Sequence, residues 1–211
     1  MHQPGLRELK KERTRLALVD AGLDLFLSQG YEATTVDQIA AAVDVSPRTL
    51  FRYFPTKEDL ALHYVFASEQ AILAALAAQP ADESPFSALR SAYRCMLQAV
   101  EDSTPEEIQR FMRTRTLLDA NPTLIGRATA RTHDSERRMA AEIARRVGVD
   151  PEHDFRPMLI VGLLTTTVRI GFECHPGKLQ NSKDLVTTAE AVLDFLERSL
   201  RPGWDDLGTP L

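Results

Sequence analysis

Thr34-Thr35-Val36-Asp37-Gln38-Ile39-Ala40-Ala41-Ala42-Val43-Asp44-Val45-Ser46-Pro47-Arg48-Thr49-Leu50-Phe51-Arg52-Tyr53-Phe54-Pro55-Thr56-Lys57-Glu58-Asp59-Leu60 carries two short helical patterns separated by a turn. Thr35, with Gln38 three residues on, matches a capping box, so a helix opens there and runs to about Val43. Asp44-Val45 reads as a turn. Ser46 is then an N-cap and Pro47 the first helical residue, where the missing proline N–H costs nothing. This second helix ends near Phe54, because Pro55 keeps the residue before it out of the helical region. Two short helices joined by a turn of about three or four residues make a helix-turn-helix. Ile39, Val45, Leu50 and Phe54 have the spacing to bury one face, and Pro47, Arg48, Thr49, Arg52 and Tyr53 remain on the other.

Upstream, Leu16, Val19, Leu23 and Phe26 fall three or four apart on one helical face, which ends at Gly30 in the position glycine fills without steric penalty. Gly22, in the middle of that helix, costs about 1 kcal/mol relative to alanine and implies close helix packing. Downstream, Thr56 caps a fourth helix running to about Ala78. A fifth carries Phe86, Leu89, Tyr93, Met96 and Val100 on one stripe, and a sixth opens at Thr104-Pro105 and breaks at Asn121-Pro122. A seventh runs from about Thr123 to Val147, an eighth from about Asp154 to Cys174, and a ninth from Ser182 or Asp184 to Leu200. No stretch alternates at period two, so the expected class is all-α with about nine helices. The expected division is a front domain at 1–55, a helical domain at 56–201 and a mobile tail at 202–211.

Composition narrows the classes. The 211 residues are 44% hydrophobic and 26% charged, as in an ordinary globular protein. The longest apolar run, Met158 to Leu164, is far short of the ~20 residues of a membrane span, and the N-terminus lacks the apolar stretch of a secretory signal. A cytoplasmic protein is the expectation. Cys95 and Cys174 stand far apart inside helical patterns and read as small buried hydrophobes, with no metal site. His133-Asp134-Ser135 resembles a catalytic trio only in print, since helix neighbours point about 100° apart.

The net charge of −5 argues against indiscriminate nucleic-acid binding, so local charge decides. From Val45 to Lys57 there are three basic residues and no acidic one, and Arg7, Lys10, Lys11, Arg13 and Arg15 lie in the leading arm. A recognition helix enters the major groove with its N-terminal residues at base edges. Arg48 and Arg52 are long enough to read guanine, each good bidentate contact discriminating by about 1–3 kcal/mol. Ser46, Thr49, Tyr53 and Lys57 suit phosphate contacts, which orient the protein without reading sequence. Thr34 and Thr35 stand at the start of the helix that crosses the backbone, and Pro47 lies beside the readers.

These residues resemble the DNA-binding domain of TetR-family transcriptional regulators. The pattern appears in Ala17–Phe26, Gly30-Tyr31, Thr34-Thr35-Val36, Ile39-Ala40, Val45-Ser46, Thr49-Leu50, Phe54 and Lys57-Glu58-Asp59-Leu60, within about residues 12 to 62. Asp44 stands where the family usually has glycine, and Phe51 where tyrosine is common. The resemblance implies a transcriptional regulator, most often a repressor, that binds double-stranded DNA at a near-palindromic operator as a homodimer. It also implies C-terminal helices that dimerise and enclose a small-molecule effector, with no other cofactor.

The residues lend their own support to that second half. Helix eight reads Met158-Leu159-Ile160-Val161-Gly162-Leu163-Leu164-Thr165-Thr166-Thr167-Val168-Arg169-Ile170 and is apolar nearly all round, which calls for burial in a bundle of the last two helices from two copies. Tyr93, Met96, Arg113, Thr129, Thr132 and Thr166 are candidate ligand contacts, because a ligand site needs a few polar groups converging on apolar walls. An alternative is a helical small-molecule-binding protein or enzyme with a vestigial helix-turn-helix, although no catalytic constellation is present. A DNA-compacting protein without sequence preference is disfavoured by the net charge.

Overall fold

The computed structural model describes residues 5–173 and 181–200. Among them the secondary structure is entirely helical: α1 (Leu6–Gln29), α2 (Val36–Ala42), α3 (Pro47–Tyr53), α4 (Lys57–Ala61), α5 (His63–Ala77), α6 (Pro85–Glu101), α7 (Pro105–Asp119), α8 (Pro122–Val147), α9 (Arg156–Glu173) and α10 (Ser182–Ser199). The tenth helix arises because the segment expected to run unbroken from Thr56 to Ala78 is interrupted at Leu62. Leu60, Ala61 and Leu62 are all buried. Three successive residues of a straight helix sweep through about 200°, so a bend there brings all three inward.

The chain forms two compact units. The first comprises residues up to Ala67 together with Gln109–Thr129, and the second Ser68–Ile108 together with the residues from Ala130 onward. The first unit therefore holds more than the 1–55 segment: it includes α4, the start of α5, most of α7 and the start of α8. The expected tail at 202–211, and Cys174 with the loop after it, lie outside the described residues.

In the first unit, Leu18, Val19, Leu23, Phe26, Tyr31, Ile39, Leu50, Phe54 and Leu60 form the core, joined by Leu117 from α7 and Leu124 from α8. Local chemistry sets the helix starts. Thr35 Oγ1 accepts from the Gln38 N–H at 3.2 Å, and Gln38 Oε1 accepts from the Thr35 N–H at 2.8 Å. Ser46 Oγ accepts from the Thr49 N–H at 3.2 Å. Thr56 and Asp59 make a second capping box. Gly22 meets α4: a Cβ placed on it would lie 2.3 Å from Leu60 Cδ2. Asp44 has φ +55°, the left-handed conformation that the turn between α2 and α3 requires.

In the second unit, α6, α9 and α10 pack together. Phe86, Leu89, Tyr93, Leu97, Ile160, Val161, Leu164 and Leu193 share a core with Ile72 and Leu76 of α5 and Met139 and Ile143 of α8. Arg146 ends α5 by donating to the carbonyl oxygens of Leu76, at 3.2 Å, and Gln79, at 2.9 Å. Cys95, expected inside, is exposed on α6. It stands two residues past the inward-facing Tyr93, which turns it about 200° around the helix.

Candidate nucleic-acid interface

α3 is a seven-residue helix with one fully buried side chain, Leu50, and it is pinned at both ends. Val45 N–H donates to the Ala40 carbonyl at 3.0 Å before it, and Phe54 N–H donates to the Leu50 carbonyl at 2.9 Å at its end. The opposite side of α3 exposes Arg48, Phe51 and Arg52, with Thr49, Pro47 and Tyr53 half-buried beside them. The Arg52 guanidinium lies 5.6 Å from the Tyr53 ring centroid, an arrangement that steadies a long cation without using its donors. Ser46 Oγ and Thr49 Oγ1 share a hydrogen bond of 3.0 Å, so two hydroxyls open the helix side by side.

Two residues expected on this surface are placed differently. Thr34 is only 1% exposed, and its hydroxyl donates to the Gly30 carbonyl at 2.8 Å. Lys57 turns its ammonium onto the loop before α2, donating to the carbonyls of Tyr31 at 2.9 Å and Thr34 at 3.1 Å. The same ammonium sits 4.2 Å from the Tyr31 ring centroid. Both side chains thus meet hydrogen-bonding needs inside the unit: residues 31–34 carry carbonyls with no helical partner, and a buried unpaired carbonyl is costly. Thr35 remains exposed at the start of α2.

Two further residues escaped the sequence reading. Gln29 Nε2 donates to Thr34 Oγ1 at 3.2 Å and to Gln38 Oε1 at 3.1 Å, joining the end of α1 to the capping box of α2. Phe51 is 49% exposed between the two arginines. An exposed aromatic at that place is the signal that could have marked it, because apolar side chains meet the thymine methyl group in the major groove.

The candidate ligand contacts do not form one group. Arg113 belongs to the first unit, where it pairs with Asp24 and lies 4.0 Å from Asp20. Thr129 is exposed and donates back to the Ile125 carbonyl at 2.8 Å. Ile125 is itself exposed, so the inward stripe of α8 runs through Leu124, Ser135, Met139 and Ile143 instead. Thr166 is exposed on α9, in a shallow depression with Phe155, Leu159, Gly162 and Leu163. Tyr93, Met96 and Thr132 belong to the interior of the second unit. Tyr93 Oη and Thr165 Oγ1 share a hydrogen bond of 3.2 Å, Met96 packs against the core, and Thr132 donates to Glu69 Oε1 at 2.7 Å. Glu69, buried in an otherwise apolar stretch of α5, was not anticipated.

α9 does not hide its apolar surface within one chain. Leu159 is 49% exposed and Ile170 46%, and Phe155 and, on α10, Phe195 are more exposed still. Among the described residues no group of three or more His, Cys, Asp or Glu is arranged to hold a metal ion, and no helix is long and apolar enough to cross a membrane.

Comparison with known proteins agrees with this architecture. Residues 18–64 match the family model described as bacterial regulatory proteins, tetR family, and residues 83–201 match the MftR C-terminal domain. The chain is 40% identical over 204 residues to the HTH-type transcriptional regulator TcmR of Streptomyces glaucescens, covering 95% of this chain and 90% of that protein. Among solved structures it resembles NalD, the secondary repressor of the MexAB-OprM multidrug efflux pump in Pseudomonas aeruginosa. That match has a TM-score of 0.57 at 22% identity, over 92% of this chain and 99% of that one. It also resembles the SmeT–triclosan complex, with a TM-score of 0.59 at 16% identity, over 94% and 99% of the two chains. The all-helical fold, the packed helix-turn-helix and these matches over both halves of the sequence converge on one assignment: the chain belongs to the TetR family of bacterial regulatory proteins and is a DNA-binding transcriptional regulator.

Proposed function

We propose that the protein is a homodimeric repressor that reads a near-palindromic operator through α3 and leaves it when a small-molecule effector binds the second unit. The observation that carries the first part is the outer side of α3. Arg48 and Arg52 offer guanidinium forks for guanine edges, Phe51 an apolar surface for thymine methyls, and Ser46, Thr49, Thr35 and Tyr53 short-range hydrogen bonds for phosphates. In this reading Thr34 and Lys57 shape the loop rather than touch DNA.

The exposed apolar face of α9, with Phe195 of α10, supports self-association through the last two helices. A second copy is the partner that covers an apolar face with an identical one, and the resulting two-fold axis matches the symmetry of a palindrome. An effector would act by favouring a state whose two reading heads no longer match the half-site spacing, which requires that it bind the two states unequally.

Selection of genomic DNA fragments by the purified protein tests the reading. Enrichment of a near-palindrome, bound far more tightly than random DNA, is the expected result. Equal retention of random and selected fragments would overturn it.

A further inference from the structure

A group of polar side chains lies inside the apolar core of the second unit. Glu69 of α5 is 9% exposed and accepts one hydrogen bond from Thr132 of α8, at 2.7 Å. Ser135 follows Thr132 by about one helical turn on α8, on the same face. It is 1% exposed, and its hydroxyl has no hydrogen-bond partner. Tyr93 of α6 is buried and shares its hydroxyl with Thr165 of α9. Glu136, four residues after Thr132, adds a second acid on that side of α8.

The local field is negative. Burial, together with the nearby carboxylates of Glu136 and Glu69, pushes the Tyr93 phenol up to about 12. Glu69 is itself held above the usual carboxylate range by burial, with Thr132, Arg131 and Arg138 acting the other way. Arg131 and Arg138 are exposed, so their guanidiniums do not enter the core. A buried carboxylate with one hydroxyl donor and a buried hydroxyl with none are unusual in a folded core, and each such group asks for an explanation.

We propose that Glu69, Tyr93 and Ser135 form the polar end of the effector site, and that the site takes a protonated amine carried on an apolar body. This rests on the ligand-responsive reading given above. The ammonium supplies the charge that Glu69 and Glu136 lack and donates to Glu69 and Ser135, while the Tyr93 ring offers its face to the cation. A carboxylate ligand would meet two acids. A neutral alcohol could bond to the hydroxyls but would leave Glu69 without a counter-charge. Met139 and Met96 border the group with unbranched side chains that repack readily around an apolar body.

Calorimetric titration of the full chain with 2-naphthylmethylamine, 2-naphthylmethanol and 2-naphthoate separates the three charge types on one apolar frame. The expected order is amine, then alcohol, then carboxylate. Glu69→Gln should weaken the amine on the order of thirtyfold while leaving the alcohol nearly unchanged, which also shows that the variant is folded. Tyr93→Phe should weaken the amine less, through loss of one hydroxyl. Binding of alcohol or carboxylate as tightly as amine, no amine binding, or an amine affinity untouched by Glu69→Gln would each overturn the proposal. The same preparations are tested for operator enrichment. A preparation that enriches an operator but does not favour the amine rejects the ligand class alone, whereas one that enriches no operator rejects the regulator reading itself.

Discussion

Arg110 grips Asp20 with two hydrogen bonds, Nε to Oδ1 at 2.7 Å and Nη2 to Oδ2 at 2.9 Å, between residues ninety apart in the chain. The fork fastens α7 to α1, and Arg113 repeats the contact one turn on by pairing with Asp24. Arg110 is largely buried while Asp20 is about one-third exposed, so the pair is stronger than a surface bridge and weaker than a buried one. Asp20→Ala and Arg110→Ala should each lower the stability of the first unit by roughly 1–2 kcal/mol, and the double variant by less than their sum. Urea unfolding of the four proteins measures the coupling, and strict additivity would show that the fork contributes nothing.

Gly22→Ala should destabilise the protein although alanine is the better helix former. The gain in propensity is about 1 kcal/mol. Against it, a Cβ 2.3 Å from Leu60 Cδ2 forces α1 and α4 to shift, a cost of about 1–3 kcal/mol for overpacking. Gly22→Ala combined with Leu60→Ala removes the clash, so the alanine at 22 should cost less in that background. Thermal unfolding of the set checks this.

Arg52→Ala should lose preference at one operator position per half-site, at about 1–3 kcal/mol for each lost bidentate contact. Arg48→Ala should relax a different position. Binding to operator variants, measured one base pair at a time, distinguishes readers from general anchors, whose loss weakens all sequences alike. Wild-type binding by Arg52→Ala would remove it from the reading set.

Leu159→Glu places a charge on the exposed apolar face of α9. It should convert a dimer to a monomer that keeps its helical content, read by sedimentation and circular dichroism. Operator affinity should fall with it, since a lone head reads half the site. An undisturbed dimer would move the interface elsewhere.

His63 predicts a pH dependence with a definite sign. Its ring packs edge-on to Phe54 at 5.5 Å and against Tyr64 at 5.3 Å, and Arg15 and Glu12 of α1 face it. Burial first, then the Arg15 charge, hold its pKa below 6.5, while Glu12 opposes them. The unfolded chain therefore takes up a proton before the folded one does. Stability is unaffected above the unfolded value, falls as pH drops through it, and levels off below the folded value. His63→Phe should flatten this part of the curve between about pH 7.5 and pH 5.5. An unchanged slope would mean that other groups produce it.

The helix-turn-helix was legible because its signals are local. Thr35, Ser46 and Thr56 each cap the helix they open, and capping depends on residues two or three positions away. Gly22 signalled close packing, but its partner Leu60 lies 38 residues on and no local rule names it. Thr34 and Lys57 were misleading for a related reason. A threonine and a lysine near a reading helix suit phosphates, yet the carbonyls of Tyr31 and Thr34 are nearer. Glu69 was invisible because a single acid in an apolar helix reads as exposed until Thr132, 63 residues later, is seen to meet it. The stripe drawn through Ile125 and Thr129 erred by about one position, which on a 26-residue helix turns a side chain from core to solvent.

The inward turn of Lys57 also bears on how the complex should respond to ionic strength. A cation that neutralises a phosphate releases condensed counterions, and each such contact steepens the fall of log affinity against log salt by about 0.9. An ammonium already held by two carbonyls and a ring face releases none. Methionine at position 57 should therefore leave the salt slope of operator binding where it was, even if the loop beneath it loosens and the affinity drops.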